Sequence, residues 1–113
     1  MTVLCVVNDD DLGREVFGAG QQAATALGTR TVVAAVRGER PNAEFGLEIV
    51  TLPEHQDEAD AVLDLSIETK AALIVVGVRR RSPVGKFLLG SAAQRIILEA
   101  EVPVLTVKEP LHG

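Results

Sequence analysis

Short, largely apolar runs recur along this chain, separated by segments whose apolar residues repeat every three or four positions, and that alternation leaves few folds open. Val3 to Val7, Thr31 to Val36, Leu73 to Val76 and Val104 to Val107 are the runs. Continuous aliphatic stretches of this length suit strands buried on both faces. A weaker run, Leu47 to Leu52, alternates around Glu48 and stops before Pro53, as an edge strand would. Between the first two runs, Leu12, Val16, Ala19, Ala23 and Leu27 make a helical stripe that Gly28 ends. A second helix, from about Asp57 to Ala72, is predicted to carry Ala59, Val62, Leu63, Ser66, Ile67 and Lys70 along one side. A third runs from Ala92 to about Ala100, with Ile96, Ile97 and Ala100 facing inward and Pro103 forbidding continuation. Arg37 to Phe45 contains Gly, Pro and Asn and reads as an exposed connection. Strands that alternate with helices predict an α/β fold: an open five-stranded, mostly parallel sheet with right-handed crossovers and helices on both faces.

A chain of 113 residues is one domain's worth, so 1–113 is read as a single domain. Its 47% hydrophobic content includes only three Phe and no Trp or Tyr, so the core must be built from Val, Leu, Ile and Ala. No apolar run approaches the roughly 20 residues that span a bilayer, and no basic region with an apolar segment and cleavage site opens the chain. A cytoplasmic protein without membrane attachment is expected. Cys5 is the one cysteine, which rules out a disulfide framework and reads as a buried, inert thiol. The formal charge of −5 and the missing stacking aromatics argue against nucleic acid as a partner.

Positive charge is nonetheless concentrated between Gly77 and Ser91, where Arg79, Arg80, Arg81 and Lys86 supply four of the chain's eleven basic residues. In an open parallel sheet, ligands sit beyond the carboxyl ends of the strands, where the winding reverses. The first strand is predicted to end at Asn8 and the fourth at Gly77, which places both following loops there. Gly77 would let the backbone turn sharply and approach a ligand, and Gly90-Ser91 would open a helix whose amide N–H groups suit phosphate. The alternative for Ser91 is an N-cap, with Gln94 completing a capping box. Gly85-Lys86 does not make a Walker P-loop, because that pattern needs glycine at position 80 and Ser or Thr at 87, where Arg80 and Phe87 stand. Asp9-Asp10-Asp11 offers oxygen ligands for a divalent cation or, alternatively, a helix cap with solvated neighbours, and no metal ligand is assigned. A receiver-like phosphoacceptor fails at Leu52-Pro53, where no aspartate ends the third strand. His55 and His112 are the only imidazoles, in a loop and at the tail, and no catalytic residue is assigned.

Taken together, strand, Gly77-x-x-(Gly), nine residues, Gly90-Ser91, helix and the closing Val102-Pro103-Val104-Leu105-Thr106-Val107 resemble the universal stress protein (UspA-like) family over essentially the whole chain. The resemblance implies an adenine nucleotide alpha hydrolase-like fold with strand order 3-2-1-4-5. It implies a stress-response protein that binds ATP or AMP, with Mg2+ accompanying the nucleotide, as a non-enzymatic sensor; slow ATP hydrolysis stays open. By resemblance, Gly77, Gly90 and Ser91 take the phosphate and ribose, Ala92 offers a backbone N–H, and Val36 lines the adenine pocket. Asn8 stands where the family has an aspartate, with Asp9 beside it. Arg80 replaces the second motif glycine, where it would either fill the pocket at a costly positive φ or clamp phosphate with its fork of donors. A nucleotide-free dimerisation or interaction module is therefore the alternative function. The resemblance also implies a homodimer joined through the edge strand Val104, Leu105, Thr106 and Val107, where pairing would shield an exposed apolar edge.

Overall fold

The computed structural model describes residues 1–7, 11–35, 48–80 and 87–109. In chain order the elements are β1 (Thr2–Val7), α1 (Asp11–Leu27), β2 (Arg30–Ala35), β3 (Ile49–Thr51), α2 (Glu58–Glu68), β4 (Ala71–Arg80), β5 (Phe87–Leu88), α3 (Ser91–Glu99) and β6 (Val104–Lys108). The parallel sheet runs β3-β2-β1-β4-β6, which is the expected 3-2-1-4-5 order with β6 as the fifth strand. The two-residue β5, which the sequence does not announce, adds an antiparallel partner to the far end of β4.

Side chains alternate between the two faces of the sheet, as the strand period of two requires. Val3, Cys5, Val7, Val33 and Val75 point to α1 and form one core with Leu12, Val16 and Ala24. Leu4, Val32, Ala34, Ile74 and Val76 point the other way and meet Ala59, Ala61, Val62 and Leu65 of α2 and Ile96 of α3. Helices therefore cover both faces. The strands carry aliphatic residues on both sides because neither side meets water.

Local chemistry sets the helix ends. Gly28 lies at φ 67° after Leu27, and the Thr29 N–H returns to the Ala24 carbonyl at 2.9 Å, which closes α1 where the sequence predicts. Asp57 caps α2 by accepting from the Asp60 N–H at 3.3 Å. α2 ends at Glu68, short of the Ala72 expected from periodicity, because Lys70 adopts φ 54° and Ala71 already belongs to β4. Thr2 secures that junction: its N–H and hydroxyl reach the carbonyls of Lys70 at 3.3 Å and Thr69 at 3.2 Å. The buried side of α2 is Ala59, Ala61, Val62 and Leu65, so Ile67, expected inside, is 69% exposed. Of the expected inward residues of α3, Ile96 is fully buried, while Ile97 and Ala100 are half-buried.

Candidate functional site

β1 and β4 remain paired only as far as Cys5 opposite Val75, whereas β6 follows β4 up to Val78 opposite Lys108. From β1 the chain passes through α1 to β2 on one side, and from β4 it passes through α3 to β6 on the other. The winding reverses between β1 and β4, and the crevice in which this architecture places ligands is expected at their carboxyl ends.

β4 does not stop at Gly77. It continues through Arg80, and Gly77 pairs with Val107 in mid-strand without a positive φ, so the sharp turn expected at this glycine is absent. What the missing side chain makes room for is Leu12: a Cβ on Gly77 would lie 2.8 Å from both Cγ and Cδ2 of that residue. Arg80 is likewise extended, paired with Phe87, and lies outside the left-handed region. Replacing the motif glycine by arginine thus imposes no positive-φ cost on the backbone.

The short ladder between β4 and β5 turns the chain back along β4 ahead of α3. Arg79 lies opposite Leu88; two residues back along β4 is Gly77, and two residues on from Leu88 is Gly90. The antiparallel return therefore runs the chain back along β4 in the direction of Gly77 just before α3 begins. Gly90 is the N-cap of α3 at φ −66° and ψ 160°, and it accepts the Gln94 N–H at 2.9 Å through its carbonyl. Ser91 is the first helical residue rather than the cap, so the alternative reading of it as the N-cap of a capping box does not hold, and among the described residues its exposed hydroxyl has no hydrogen-bond partner. The N–H groups of Ser91, Ala92 and Ala93 have no acceptor within their own helix and sit at its positive end. Ala92 turns its methyl toward the core below, which leaves its N–H as the group it can offer a ligand.

Charge around the crevice is partly committed. The Arg79 guanidinium reaches Glu109 at 3.8 Å, bridging β4 to the residue after β6. Arg95 of α3 holds Asp57 at 2.8 Å, Asp60 at 2.7 Å and Glu99 at 2.8 Å, locking α3 onto the start of α2. Hydrogen bonds to Glu99 and then Asp60 raise its affinity for the proton further above an already basic value. The helical Arg95–Glu99 spacing is visible in the sequence, whereas the reach to Asp57 and Asp60 needs the fold. Asn8, Asp9 and Val36 lie outside the described residues; they follow Val7 and Ala35, the last register pair of β1 and β2. His55 is exposed in the turn before α2, and no group of three potential metal ligands occurs among the described residues. A wide groove of about 670 Å³, lined by Gln21, Gln22, Thr25, Thr29 and Thr31, lies at the amino end of β2, away from the crevice.

The sequence model of the universal stress protein family matches residues 1–108. The chain belongs to the universal stress protein family. It is 48% identical over 61 residues to a universal stress protein of Mycolicibacterium smegmatis, a match that covers 54% of this chain and 45% of that protein. The chain thus matches less than half the length of this curated relative. Among solved structures, a universal stress protein from Archaeoglobus fulgidus superposes with a TM-score of 0.73 at 27% identity, over 93% of this chain and 96% of the other. Two further structures share the fold at 22% identity: a universal stress protein in complex with cAMP, at a TM-score of 0.68 and 96% coverage of each chain, and a universal stress protein from Archaeoglobus fulgidus in complex with dAMP, at 0.66 over 93% and 94%. The architecture is the adenine nucleotide alpha hydrolase-like fold of universal stress proteins. No described helix is long and apolar enough to cross a membrane.

Proposed function

We propose that this chain is a stress-response regulator that binds an adenine nucleotide at the crevice between β1 and β4 without turning it over. The observation that carries the reading is the antiparallel return of β5 along the end of β4, which leads directly into a helix start with no side-chain cap. The dAMP and cAMP complexes of proteins with the same fold supply the ligand class. In this reading the Ser91 hydroxyl and the N–H groups of Gly90, Ser91 and Ala92 take phosphate and ribose. Asn8, Asp9 and Val36 meet the nucleoside, Arg80 neutralises phosphate, and Mg2+ accompanies ATP. The protein acts in the cytoplasm as a homodimer joined along β6, an edge strand on which Leu105 is 40% exposed. No catalytic residue is assigned, since the described imidazole, His55, is remote in sequence and element from both rims.

The test is thermal unfolding with AMP, and with ATP and magnesium. A ligand at a hundred times its dissociation constant stabilises the folded state by about 2.7 kcal/mol, so a rise in midpoint that saturates with concentration is expected. A midpoint unmoved by millimolar nucleotide would sink the reading.

A further inference from the structure

Gly77 is packed against the start of α1. Its α-carbon faces the α1 side of the sheet, in the same row as Leu73 and Val75, and the place a Cβ would take is already held by Leu12 at 2.8 Å, 2.8 Å and 3.1 Å. Side-chain carbons do not approach a Cβ that closely. Leu12 is the second residue of α1 and only 5% exposed, so it cannot swing into solvent without emptying part of the core it completes. The contact also joins the two sides of the crevice. Leu12 begins the helix that follows β1, and Gly77 lies on β4 just beyond the last residue paired to β1.

We propose that Leu12 is a positioning residue: seated on Gly77, it fixes how close the first turn of α1 comes to β4. Gly77 is held to glycine by this seat and not by contact with ligand. The inference deepens the nucleotide reading, because the start of α1 borders the proposed site.

Four proteins decide it: the parent, Gly77→Ala, Leu12→Ala and the double variant. Gly77→Ala is expected to lower the thermal midpoint by about 5 °C or more, a shift typical of a disturbed core contact in a domain of this size. Leu12→Ala lowers it as well, through the cavity it leaves. The double variant is expected to be no less stable than Leu12→Ala alone, since the added methyl then enters vacated space. Losses that simply add overturn the seat.

Adenylate separates positioning from mere packing. The midpoint rise with AMP should vanish in Gly77→Ala, shrink in Leu12→Ala, and in the double variant return to the level of Leu12→Ala. A rise still missing in the double variant would show that ligand needs the bare glycine backbone, and a rise intact in both single variants would show that Leu12 only packs; either result overturns the proposal. If the parent itself does not respond, the nucleotide reading fails separately, and amide exchange decides the positioning: faster exchange confined to residues 12–16 in both single variants supports it, and a uniform change along the chain overturns it.

Discussion

The sulfur of Cys5 occupies the space that a side chain on Gly20 would need. A Cβ built on Gly20 lies 2.1 Å from Cys5 Sγ, so the middle of α1 rests on β1 through a glycine and a thiol. Alanine in a helix ordinarily gains up to about 1 kcal/mol over glycine. Here the clash reverses the sign. Gly20→Ala is expected to lose about 1–3 kcal/mol, the range for an overpacked core, in urea unfolding. Gly18 has nothing within 4 Å of its would-be Cβ. Gly18→Ala should therefore stabilise by about 0.5–1 kcal/mol, and equal losses at both positions would contradict this packing.

Burial pushes the Cys5 thiol from 9.0 up to about 12. Below the ordinary thiol range both folded and unfolded chains hold the proton, and this group's contribution to stability is at its maximum. As pH rises from about 9 toward 12, only the unfolded chain ionises, so stability falls by about 1.4 kcal/mol per pH unit from this group. Comparing the parent with Cys5→Ala across that window isolates the effect, because every other titrating group is shared. Parallel stability curves for the two proteins would rule it out. The same burial makes the folded thiol unreactive toward a disulfide reagent at neutral pH, with labelling that appears only on unfolding.

Arg95 faces carboxylates from two helices, since Asp57 and Asp60 belong to the start of α2 while Glu99 is one turn ahead on α3. Replacing it with Met keeps most of the aliphatic stem and removes the charge. The thermal midpoint should fall at low ionic strength, and the gap to the parent should narrow in molar salt, because exposed ion pairs are screened. Asp57 has a second task as N-cap of α2, so Asp57→Ala should cost about 1 kcal/mol that salt does not restore. A salt-independent loss for the Arg95 variant would mean that packing, not charge, joins these helices.

How far these features can be read in advance depends on whether their causes are local. The runs around Leu4, Val33, Ile74 and Val104 reveal strands because burial on both faces demands unbroken aliphatics, and Gly28 marks a helix end through a conformation it alone adopts cheaply. β4 is longer than its apolar core suggests because Arg79 and Arg80 are held by pairing with β5, a partner only two residues long. Lys70 ends α2 in a left-handed conformation that no glycine advertises. Ile67 looks inward on periodicity but lies in the last turn, past the reach of the sheet. At the site, Gly90 ahead of a helix is legible in the sequence, whereas the β5 ladder that turns the chain back along β4 is not. The seat of Leu12 on Gly77 joins residues far apart in sequence and leaves no local trace.

Arg80 stands in extended backbone and pairs with Phe87, so its substitution can be read for ligand effects without a change in φ. Arg80→Gly is expected to weaken adenylate binding about tenfold or more in calorimetric titration, in line with the 1.5–3 kcal/mol of a hydrogen bond to a charged group. The loss should be larger for ATP than for adenosine, which carries no phosphate to neutralise. Tighter binding in the variant would instead show that the arginine fills the pocket, which would favour the nucleotide-free interaction module.

β6 is bonded to β4 on one side, and among the described residues it has no strand on the other. Leu105 and Thr106 are exposed on this edge, while Val104 and Val107 turn toward the two cores. A free edge carrying a large aliphatic is an invitation to pair, and a second copy of the same strand satisfies it symmetrically. Leu105→Lys places a charge against its own symmetry mate near the two-fold axis while leaving both cores intact. Sedimentation should then show a monomer where the parent sediments as a dimer, with the unfolding midpoint of the variant independent of protein concentration and that of the parent rising with it. A variant that remains dimeric would move the interface away from β6, and a parent monomeric at all concentrations would remove it.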